Sequence, residues 1–319
     1  MDKNELKPEV LSWIEEHCLY PTDSEGYCIG FDPFVENEFI VDAFNVFGFV
    51  VISNVISNST IEDCKLRVQS WYNFLSDRVD KDGIKAVQNG FIECYHDNFL
   101  AQARTSYRFY TAHSLLWKTS RLWCTFDRIS YKQKTDEPNY STSLHVNQNP
   151  LKHPKLSYTH GYISIAEEPF DNGNLRVVTG SQKYFDTWRR FSTNDIQFLN
   201  LNMDENPYLP SLEKHSQLIS VKPGDGIIWD SRLVHSSTIN KLQTPRISIL
   251  VSYMPAILQE NIRQNRVDAY VNGIPQINRS ARLNASQLPR FNNNDLTQNF
   301  RIIEDLDRFG RLLYGLEAY

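Results

Sequence analysis

The sequence predicts a mainly β fold, a sandwich or barrel of short strands with helical flanks. From about Trp123 onward, apolar and β-branched residues come in short runs, and turn signals such as Asp171-Asn172-Gly173-Asn174 and Pro223-Gly224-Asp225-Gly226 separate them. Before that point the apolar residues recur at helical spacing. Many short strands without helices between them favour a sandwich or barrel over alternating β-α-β units. The predicted strands are Trp123–Lys132, Ser141–Asn147, Tyr158–Ala166, Leu175–Val178, Gln217–Lys222, Gly226–Trp229 and Arg246–Tyr253.

The N-terminal part of the chain is expected to be mostly helical with one buried strand. One helix should cover Glu36 to Val46 and stop at Gly48, directly before the apolar strand Phe49–Ile52. Ser59 and Glu62 have the spacing of a capping box at the start of a further helix. The buried face of that helix is predicted to comprise Ile61, Cys64, Val68, Trp71 and Leu75.

No repeat and no low-complexity linker divides the chain, so a single domain is expected over residues 1–319. Within it, residues 1–120 form the mostly helical flank and residues 121–256 the β core. Residues 257–319 form a C-terminal extension that is rich in Asn, Arg and Gln and ends in an amphipathic helix around Ile302–Leu316.

Charge and composition narrow the expected partners. The chain has 33 Lys and Arg against 38 Asp and Glu and no basic run, so no nucleic-acid partner is expected. No stretch approaches the roughly 18 apolar residues of a membrane span, and the charged N-terminus does not resemble a signal peptide. Five scattered cysteines are typical of reduced thiols, which predicts a cytoplasmic protein. The sequence predicts no oligomeric state.

Two of the eight histidines stand where chemistry is expected. His145 lies near the end of the predicted strand Ser141–Asn147, and His235 lies at the far end of the segment that begins with the turn at Pro223. Asn147 is two residues from His145, so in a strand both side chains point to the same face. Arg246 follows His235 and opens another predicted strand.

This order resembles the Fe(II)/2-oxoglutarate oxygenases, in which two His and one carboxylate hold iron. The resemblance is to the phytanoyl-CoA dioxygenase family and extends to residues 40–56 and to Asn-Gly-Asn-Leu-Arg-Val-Val-Thr-Gly-Ser at 172–181. It implies a double-stranded β-helix (jelly-roll, cupin-like) core, with Fe(II) as cofactor and 2-oxoglutarate as cosubstrate. The implied metal positions are His145, Asn147 and His235. Arg246 and Ser237 are the implied partners of the distal carboxylate of 2-oxoglutarate.

Asn147 departs from the pattern of the family, which has Asp at this place. An amide oxygen is a neutral and weaker donor that does not offset the charge of Fe(II), so a lower metal affinity is expected. Asn147 is therefore either a weak ligand, the mark of a site that has lost its metal, or a substitution that traps an inactive complex. The carboxylate-free site also resembles that of the halogenases, but Asn would obstruct the space that a halide needs.

Several further residues are candidates for the pocket. Arg128, on the predicted strand Trp123–Lys132, is a candidate contact for cosubstrate or substrate. Gln148 and Arg232 are expected either at the pocket mouth or in structural hydrogen bonds. A three-histidine site that uses His160 is the competing metal site, which the missing ligand spacing near His145 disfavours.

Two functions remain open from the sequence. The first is an oxygenase that hydroxylates or otherwise oxidises a small organic substrate at the expense of 2-oxoglutarate. The second is an impaired or inactive relative that binds a small acid or a partner without turnover. Asn147 is the residue that decides between them, and the identity of the substrate is not predicted.

Overall fold

The computed structural model describes residues 8–16, 18–78, 87–136, 141–196, 198–257, 260–271, 273 and 306–319. Its core consists of antiparallel sheets with flanking helices, the jelly-roll architecture that the sequence predicts. The strands are β1 (Phe49–Ile52), β2 (Val87–Gln88), β3 (Phe91–Ile92), β4 (Leu122–Cys124), β5 (Ile129–Lys132), β6 (His145–Val146), β7 (Thr159–Ser164), β8 (Leu175–Val177), β9 (Leu199–Asn200), β10 (Gln217–Ile219), β11 (Gly226–Asp230), β12 (His235–Ser237), β13 (Arg246–Leu250) and β14 (Tyr253–Pro255).

Helices cover the flanks of these sheets. They are α1 (Pro8–Glu16), α2 (Asn37–Phe47), α3 (Asn58–Leu75), α4 (Asn98–Arg104), α5 (Tyr107–Trp117), α6 (Leu209–Lys214), α7 (Glu260–Val271) and α8 (Arg308–Tyr314), with a kinked 3-10 segment over Ser181–Phe191. In the described part of the chain no helix has the length and apolar character needed to cross a membrane.

Two sheets carry the core. A seven-stranded sheet has the order β1-β11-β7-β13-β5-β3-β2, and a five-stranded sheet has the order β10-β8-β12-β6-β9. The larger apolar cluster includes the seven-stranded sheet and residues of α2, α3 and α5. A second cluster joins the five-stranded sheet to α1, α6 and the 3-10 segment, with Trp188 and Tyr208 fully buried in it. The five-stranded sheet, in which both candidate histidines lie, is therefore supported by its own apolar layer.

Several predicted elements lie close to their predicted places. α2 ends at Gly48, which adopts the left-handed conformation (φ 83°) that glycine accommodates at helix ends. β1 is buried along its whole length, as predicted. The predicted buried face of α3 is confirmed for Ile61, Cys64, Val68, Trp71 and Leu75. All five cysteines carry free thiols, and only Cys18 is exposed.

The predicted capping box of α3 is wrong by two residues. The N-cap is Ser57, whose Oγ accepts a hydrogen bond from the backbone N–H of Thr60 at 3.2 Å, so the helix begins at Asn58. Ser59 lies inside the first turn. The polar run Ser57-Asn58-Ser59-Thr60 offers several caps with similar local chemistry, and tertiary packing selects among them.

Two long predicted strands are each split in two. The predicted strand Trp123–Lys132 divides into β4 and β5, and the predicted strand Arg246–Tyr253 divides into β13 and β14. Both break at the same level, where Thr125 N donates to Ser252 O (2.8 Å) and Ser252 N donates to Thr125 Oγ1 (3.0 Å). A side-chain hydroxyl thus replaces a backbone partner at the bend. The apolar pattern continues across it, so the sequence does not reveal the break.

Other predicted bounds are shorter or shifted in the structure. Only His145–Val146 of the predicted strand Ser141–Asn147 pairs as a strand, and only Gln217–Ile219 of Gln217–Lys222. The predicted C-terminal helix corresponds to α8 at Arg308–Tyr314, while residues 302–305 of the prediction lie outside the described residues. Strands β2, β3 and β9 and helix α6 were not predicted, because elements this short carry little periodicity.

Candidate active site

The two candidate histidines are neighbours across one strand pair. β6 and β12 pair in antiparallel register with His145 directly opposite His235, and the two ring centroids are 4.3 Å apart. His235 opens β12 after a turn, whereas the sequence placed it at the end of the preceding strand, which is β11. Strand pairing within the five-stranded sheet, therefore, brings together two side chains that are 90 positions apart in the chain.

Backbone carbonyls fix the tautomer of both imidazoles. Nδ1 of His145 lies 2.7 Å from the carbonyl oxygen of Ser143, and Nδ1 of His235 lies 2.8 Å from that of Leu233. A carbonyl oxygen only accepts, so Nδ1 carries the proton in each ring and Nε2 keeps a free lone pair. This arrangement is the one found around metal-binding histidines, where a hydrogen bond to the distal nitrogen orients the ring.

Burial keeps both rings neutral. It lowers the pKa of His145, and it lowers the pKa of His235 well below the ordinary value, with the neighbouring His145 adding to the effect. A protonated imidazole offers no lone pair to a metal, so a lowered pKa favours ligation near neutral pH.

Asn147 completes the group. Its Nδ2 lies 3.0 Å from Nε2 of His235, so the amide N–H donates to the free lone pair of that ring. The backbone of Asn147 is held on both sides, since its N–H donates to Ser231 O (2.9 Å) and its carbonyl accepts from the hydroxyl of Tyr158. Half a turn of the amide presents Oδ1 instead of Nδ2 at the same place.

The donor set fits a divalent metal of the transition series with reduced affinity. Two imidazole nitrogens and one amide oxygen are suitable donors for Fe(II), but all three are neutral. Among the described residues no group of three or more His, Cys, Asp or Glu is placed to hold a metal. The position where a carboxylate would complete such a group carries the amide of Asn147.

A cavity of about 350 Å³ adjoins the two histidines. It is lined partly by aromatic and apolar side chains and partly by charged and hydroxyl groups. This composition is typical of pockets for small polar molecules. Its lining comprises Phe91, Asp127, Arg128, Ser130, Lys132, Thr142, His145, Asn147, His160, Gly161, Tyr162, Leu175, Trp229, His235, Ser236, Ser237, Arg246 and Leu250.

Arg246 lines this cavity as part of a buried ion pair. Its Nε lies 3.0 Å from Oε2 of Glu168, and the side chains are 5% and 0% exposed. The hydroxyl of Tyr162 donates to the same Oε2 at 2.9 Å. Burial acts to lower the pKa of Arg246, but the Glu168 carboxylate outweighs it and raises the pKa, so the guanidinium is charged. Glu168 was not predicted as a site residue, because it carries no local signal ahead of the turn at Pro169.

Lys132 is a second cation of the cavity that sequence reasoning missed. Its Cα lies directly opposite that of Arg246 in the β5–β13 register, and its side chain is almost completely buried. Nζ donates to the carbonyl oxygen of Thr238 at 2.9 Å. Burial, with a contribution from Arg246, lowers the pKa of Lys132 to about 7. Residue 132 was treated only as the end of a strand, although a lysine inside an apolar strand is itself an unusual feature.

The remaining predicted residues divide between the cavity and structural roles. Ser237 lines the cavity with its Oγ 3.3 Å from Oγ1 of Thr142. Arg128 also lines it, but it lies before β5 rather than on a strand, and it pairs with Glu93 at 3.2 Å. His160 lines the cavity as well, stacked on Trp229 at 5.3 Å between centroids.

Gln148 and Arg232 do not line this cavity. The amide of Gln148 donates to the carbonyls of His153 and Lys155 and accepts from Ser231, so its role is to fix the chain after Asn147. Arg232 pairs with the buried Asp230 (2.6 Å) and lines a different cavity beside α2 and α5. Of the two alternatives expected for Gln148 and Arg232, the structure therefore favours structural contacts.

The antiparallel sheet order places the protein in the class of jelly-roll, cupin-like folds. The model of the Phytanoyl-CoA dioxygenase (PhyH) family matches residues 44–248, so the chain belongs to this family. That match extends from α2 to β13 and contains every predicted metal and cosubstrate residue.

Individual relatives are distant. The "Ava biosynthesis cluster protein O" of Aspergillus versicolor is 26% identical over 154 residues, 44% of this chain and 49% of that protein. The chain thus spans about half the length of this relative. The "Putative phytanoyl-CoA dioxygenase" of Dictyostelium discoideum is 22% identical over 274 residues, 69% of this chain and 76% of that protein.

Solved structures share the fold. The protein GIG2 of Candida albicans has a TM-score of 0.64 at 14% identity and covers 88% of this chain and 76% of its own. The epimerase SnoN, solved with Fe3+, alpha ketoglutarate and nogalamycin RO, has a TM-score of 0.50 at 15% identity, covering 70% and 85%. At these identities the likeness is one of fold.

Proposed function

We propose that this protein is an iron(II)- and 2-oxoglutarate-dependent oxygenase that oxidises a small organic substrate. The observation that carries the proposal is the pair of neutral imidazoles that face each other across β6 and β12, each with Nδ1 donating to a carbonyl and an unprotonated Nε2. Membership of the phytanoyl-CoA dioxygenase family and the fold shared with SnoN, which was solved with Fe3+ and alpha ketoglutarate, support it.

Three residues of the chain are suited to hold the metal. His145 and His235 would hold the metal through Nε2, and Asn147 would add its amide oxygen after half a turn. With iron, 2-oxoglutarate and dioxygen bound, the chemistry supplied would be oxidation of an unactivated C–H bond by one oxygen atom, while the other enters succinate as 2-oxoglutarate loses CO2.

Residues of the cavity wall prepare the site for that chemistry. Arg246 and Ser237 provide a planar fork and a hydroxyl for a carboxylate, and both line the cavity beside the histidines. Tyr162, Trp229 and Leu250 form apolar wall, which limits the water that reaches the reacting atoms.

One contact favours a second candidate function, a binding protein without turnover. The amide N–H of Asn147 satisfies the lone pair of His235 Nε2 that a metal would otherwise use. Metal binding at His235 would break this hydrogen bond, and the neutral amide of Asn147 would not offset the charge of the metal. A pocket of the same shape that binds a small acid without iron is therefore the alternative.

The substitution Asn147→Asp separates the two functions. A carboxylate neutralises part of the charge of Fe(II) in a buried site, so we expect Fe(II) to bind at least about tenfold more tightly, or roughly 1.4 kcal/mol. Succinate formed from 2-oxoglutarate with Fe(II) and ascorbate should increase with it. The matched control is Asn202→Asp, which adds the same charge at an exposed position. Iron-dependent succinate in neither the wild type nor Asn147→Asp would reject the oxygenase and leave the binding protein.

A further inference from the structure

Lys132 and Arg246 line the cavity, and together with Glu168, the ion-pair partner of Arg246, they form a group of three charges that do not cancel. Arg246 forms an ion pair with Glu168 at 3.0 Å, and with exposures of 5% and 0% this pair is closed off from solvent. The guanidinium charge is thereby neutralised within the protein. The third group, Lys132, has no carboxylate within ion-pair distance among the described residues, and its ammonium donates to a neutral carbonyl.

The backbone around Lys132 is shaped to hold its side chain. Gly90 and Gly173 flank its methylene groups, and both adopt positive φ angles, of 77° and 78°. A Cβ added at Gly90 would lie 2.8 Å from Cγ of Lys132, and one added at Gly173 would lie 2.9 Å from Cδ. Side chains at these two positions would displace the lysine, so the absence of both lets the ammonium reach the cavity.

We propose that Lys132, rather than Arg246, supplies the net positive charge that binds the distal carboxylate of 2-oxoglutarate. This inference rests on the proposed function. Arg246, neutralised by Glu168, contributes hydrogen-bond geometry to the same carboxylate. An ammonium has three N–H donors, and the carbonyl of Thr238 takes one of them, which leaves donors for an anion.

The charge balance gives this assignment a pH dependence. The charged or titratable groups around Lys132 come from three elements: Arg246 from β13, Tyr162 from β7 with Glu168 from the segment after it, and Asp127 and Arg128 from the segment before β5. With Lys132 protonated, the triad of Lys132, Glu168 and Arg246 has a net charge of +1 and a bound carboxylate cancels it. With Lys132 neutral, the triad has no net charge, and an anion is not compensated. Binding should therefore weaken as pH rises above the lysine pKa of about 7.

A binding experiment on the full chain tests the assignment. 2-Oxoglutarate and glutarate, a dicarboxylate without the keto group, are titrated calorimetrically with EDTA and, separately, with Mn(II). We expect Lys132→Met to weaken binding of both acids by at least about tenfold, and Lys132→Arg to stay within about threefold of the wild type. The double variant Lys132→Met with Glu168→Gln should recover most of the loss, because it frees the charge of Arg246.

The control and the contradicting results are specific. Lys152→Met, which removes an exposed lysine, should leave binding unchanged. Wild-type affinity in Lys132→Met, or no recovery on adding Glu168→Gln, would overturn the assignment, as would a wild type that binds neither acid in either condition. If Lys132→Met does not fold, the single variant Glu168→Gln tests the assignment. It frees the charge of Arg246, so it must bind both acids more tightly than the wild type does.

Failure of this inference is distinguishable from failure of the proposed function. If the variants follow the expected order but no succinate forms, the anion site stands and the oxygenase does not. If succinate forms and Lys132→Met is without effect on binding, the oxygenase stands and the assignment of Lys132 is wrong.

Discussion

The buried pair of Arg246 and Glu168 predicts a large and partner-dependent loss of stability. The perturbation is Arg246→Met, which keeps much of the side-chain volume and removes the charge. Glu168 is then left in a site with 0% exposure, where its remaining hydrogen bond is from Tyr162. Breaking a buried ion pair by removing one partner costs about 3–5 kcal/mol, because the other charge stays uncompensated.

The double variant Arg246→Met with Glu168→Gln should behave differently. Glutamine keeps an oxygen for the Tyr162 hydroxyl but carries no charge, so the double variant should lose less than about 2 kcal/mol. The difference between single and double variants is the coupling energy of the pair, which we expect to be at least about 2 kcal/mol. Loss of the guanidinium over the Tyr162 ring, 4.7 Å from its centroid, adds a smaller amount to both.

Urea unfolding of the metal-free protein near pH 7.5, followed by circular dichroism and tryptophan fluorescence, measures these free energies. Arg308→Met is the control, since its pair with Glu317 is 76% and 34% exposed and should contribute no more than about 1 kcal/mol. Equal losses in the single and double variants would refute the reasoning. Because loss of Arg246 is expected to destabilise the fold, Arg246→Ala would change stability and cosubstrate binding together. It is therefore not a clean test of cosubstrate binding.

Two further predictions concern the fold. Burial lowers the pKa of His113 from 6.5 to about 3, so the unfolded chain binds more protons than the native state below pH 6.5, and stability falls as pH falls. Between pH 6.5 and 5 this one residue should cost about 2 kcal/mol of unfolding free energy, and His113→Leu should flatten the measured slope by that amount; an unchanged slope contradicts it. Gly48→Ala should cost about 1–3 kcal/mol in urea unfolding, because φ is 83° and the new Cβ would lie 2.6 Å from Cδ1 of Leu233. An unchanged unfolding free energy in Gly48→Ala would contradict this prediction and show that the turn shifts to accommodate the Cβ.

The fold class was expected from the pattern of short strands, and the approach of His145 to His235 was expected from the resemblance to the family. Alternation marks the strands, and the His-x-Asn and His–Arg spacings carry the resemblance to the family. Asn147 stands out in the sequence because it keeps the His-x-acid spacing of the family but carries an amide in place of the acid.

The compensating charges could not be predicted. Glu168 meets Arg246 because β7, which it follows, pairs with β13, which Arg246 opens, and no spacing in the chain encodes that pairing. The bend at Thr125 and Ser252 could not be predicted either, because it depends on hydrogen bonds between two residues that are far apart in the sequence. For Gln148 the sequence left the pocket mouth and a structural hydrogen bond open, because proximity to His145 says nothing about its partners at residues 153, 155 and 231.

The central claim is that His145 and His235 hold a metal beside a 2-oxoglutarate site, and a crystal structure grown anaerobically with Fe(II) and 2-oxoglutarate tests it most directly. We expect anomalous iron density within ligand distance of both Nε2 atoms, at about 2.0–2.2 Å, with Asn147 turned so that its N–H no longer donates to His235. We also expect the cosubstrate in the cavity with its distal carboxylate against Lys132 and Arg246. A structure without iron, in which the amide of Asn147 still donates to Nε2 of His235, would contradict the account.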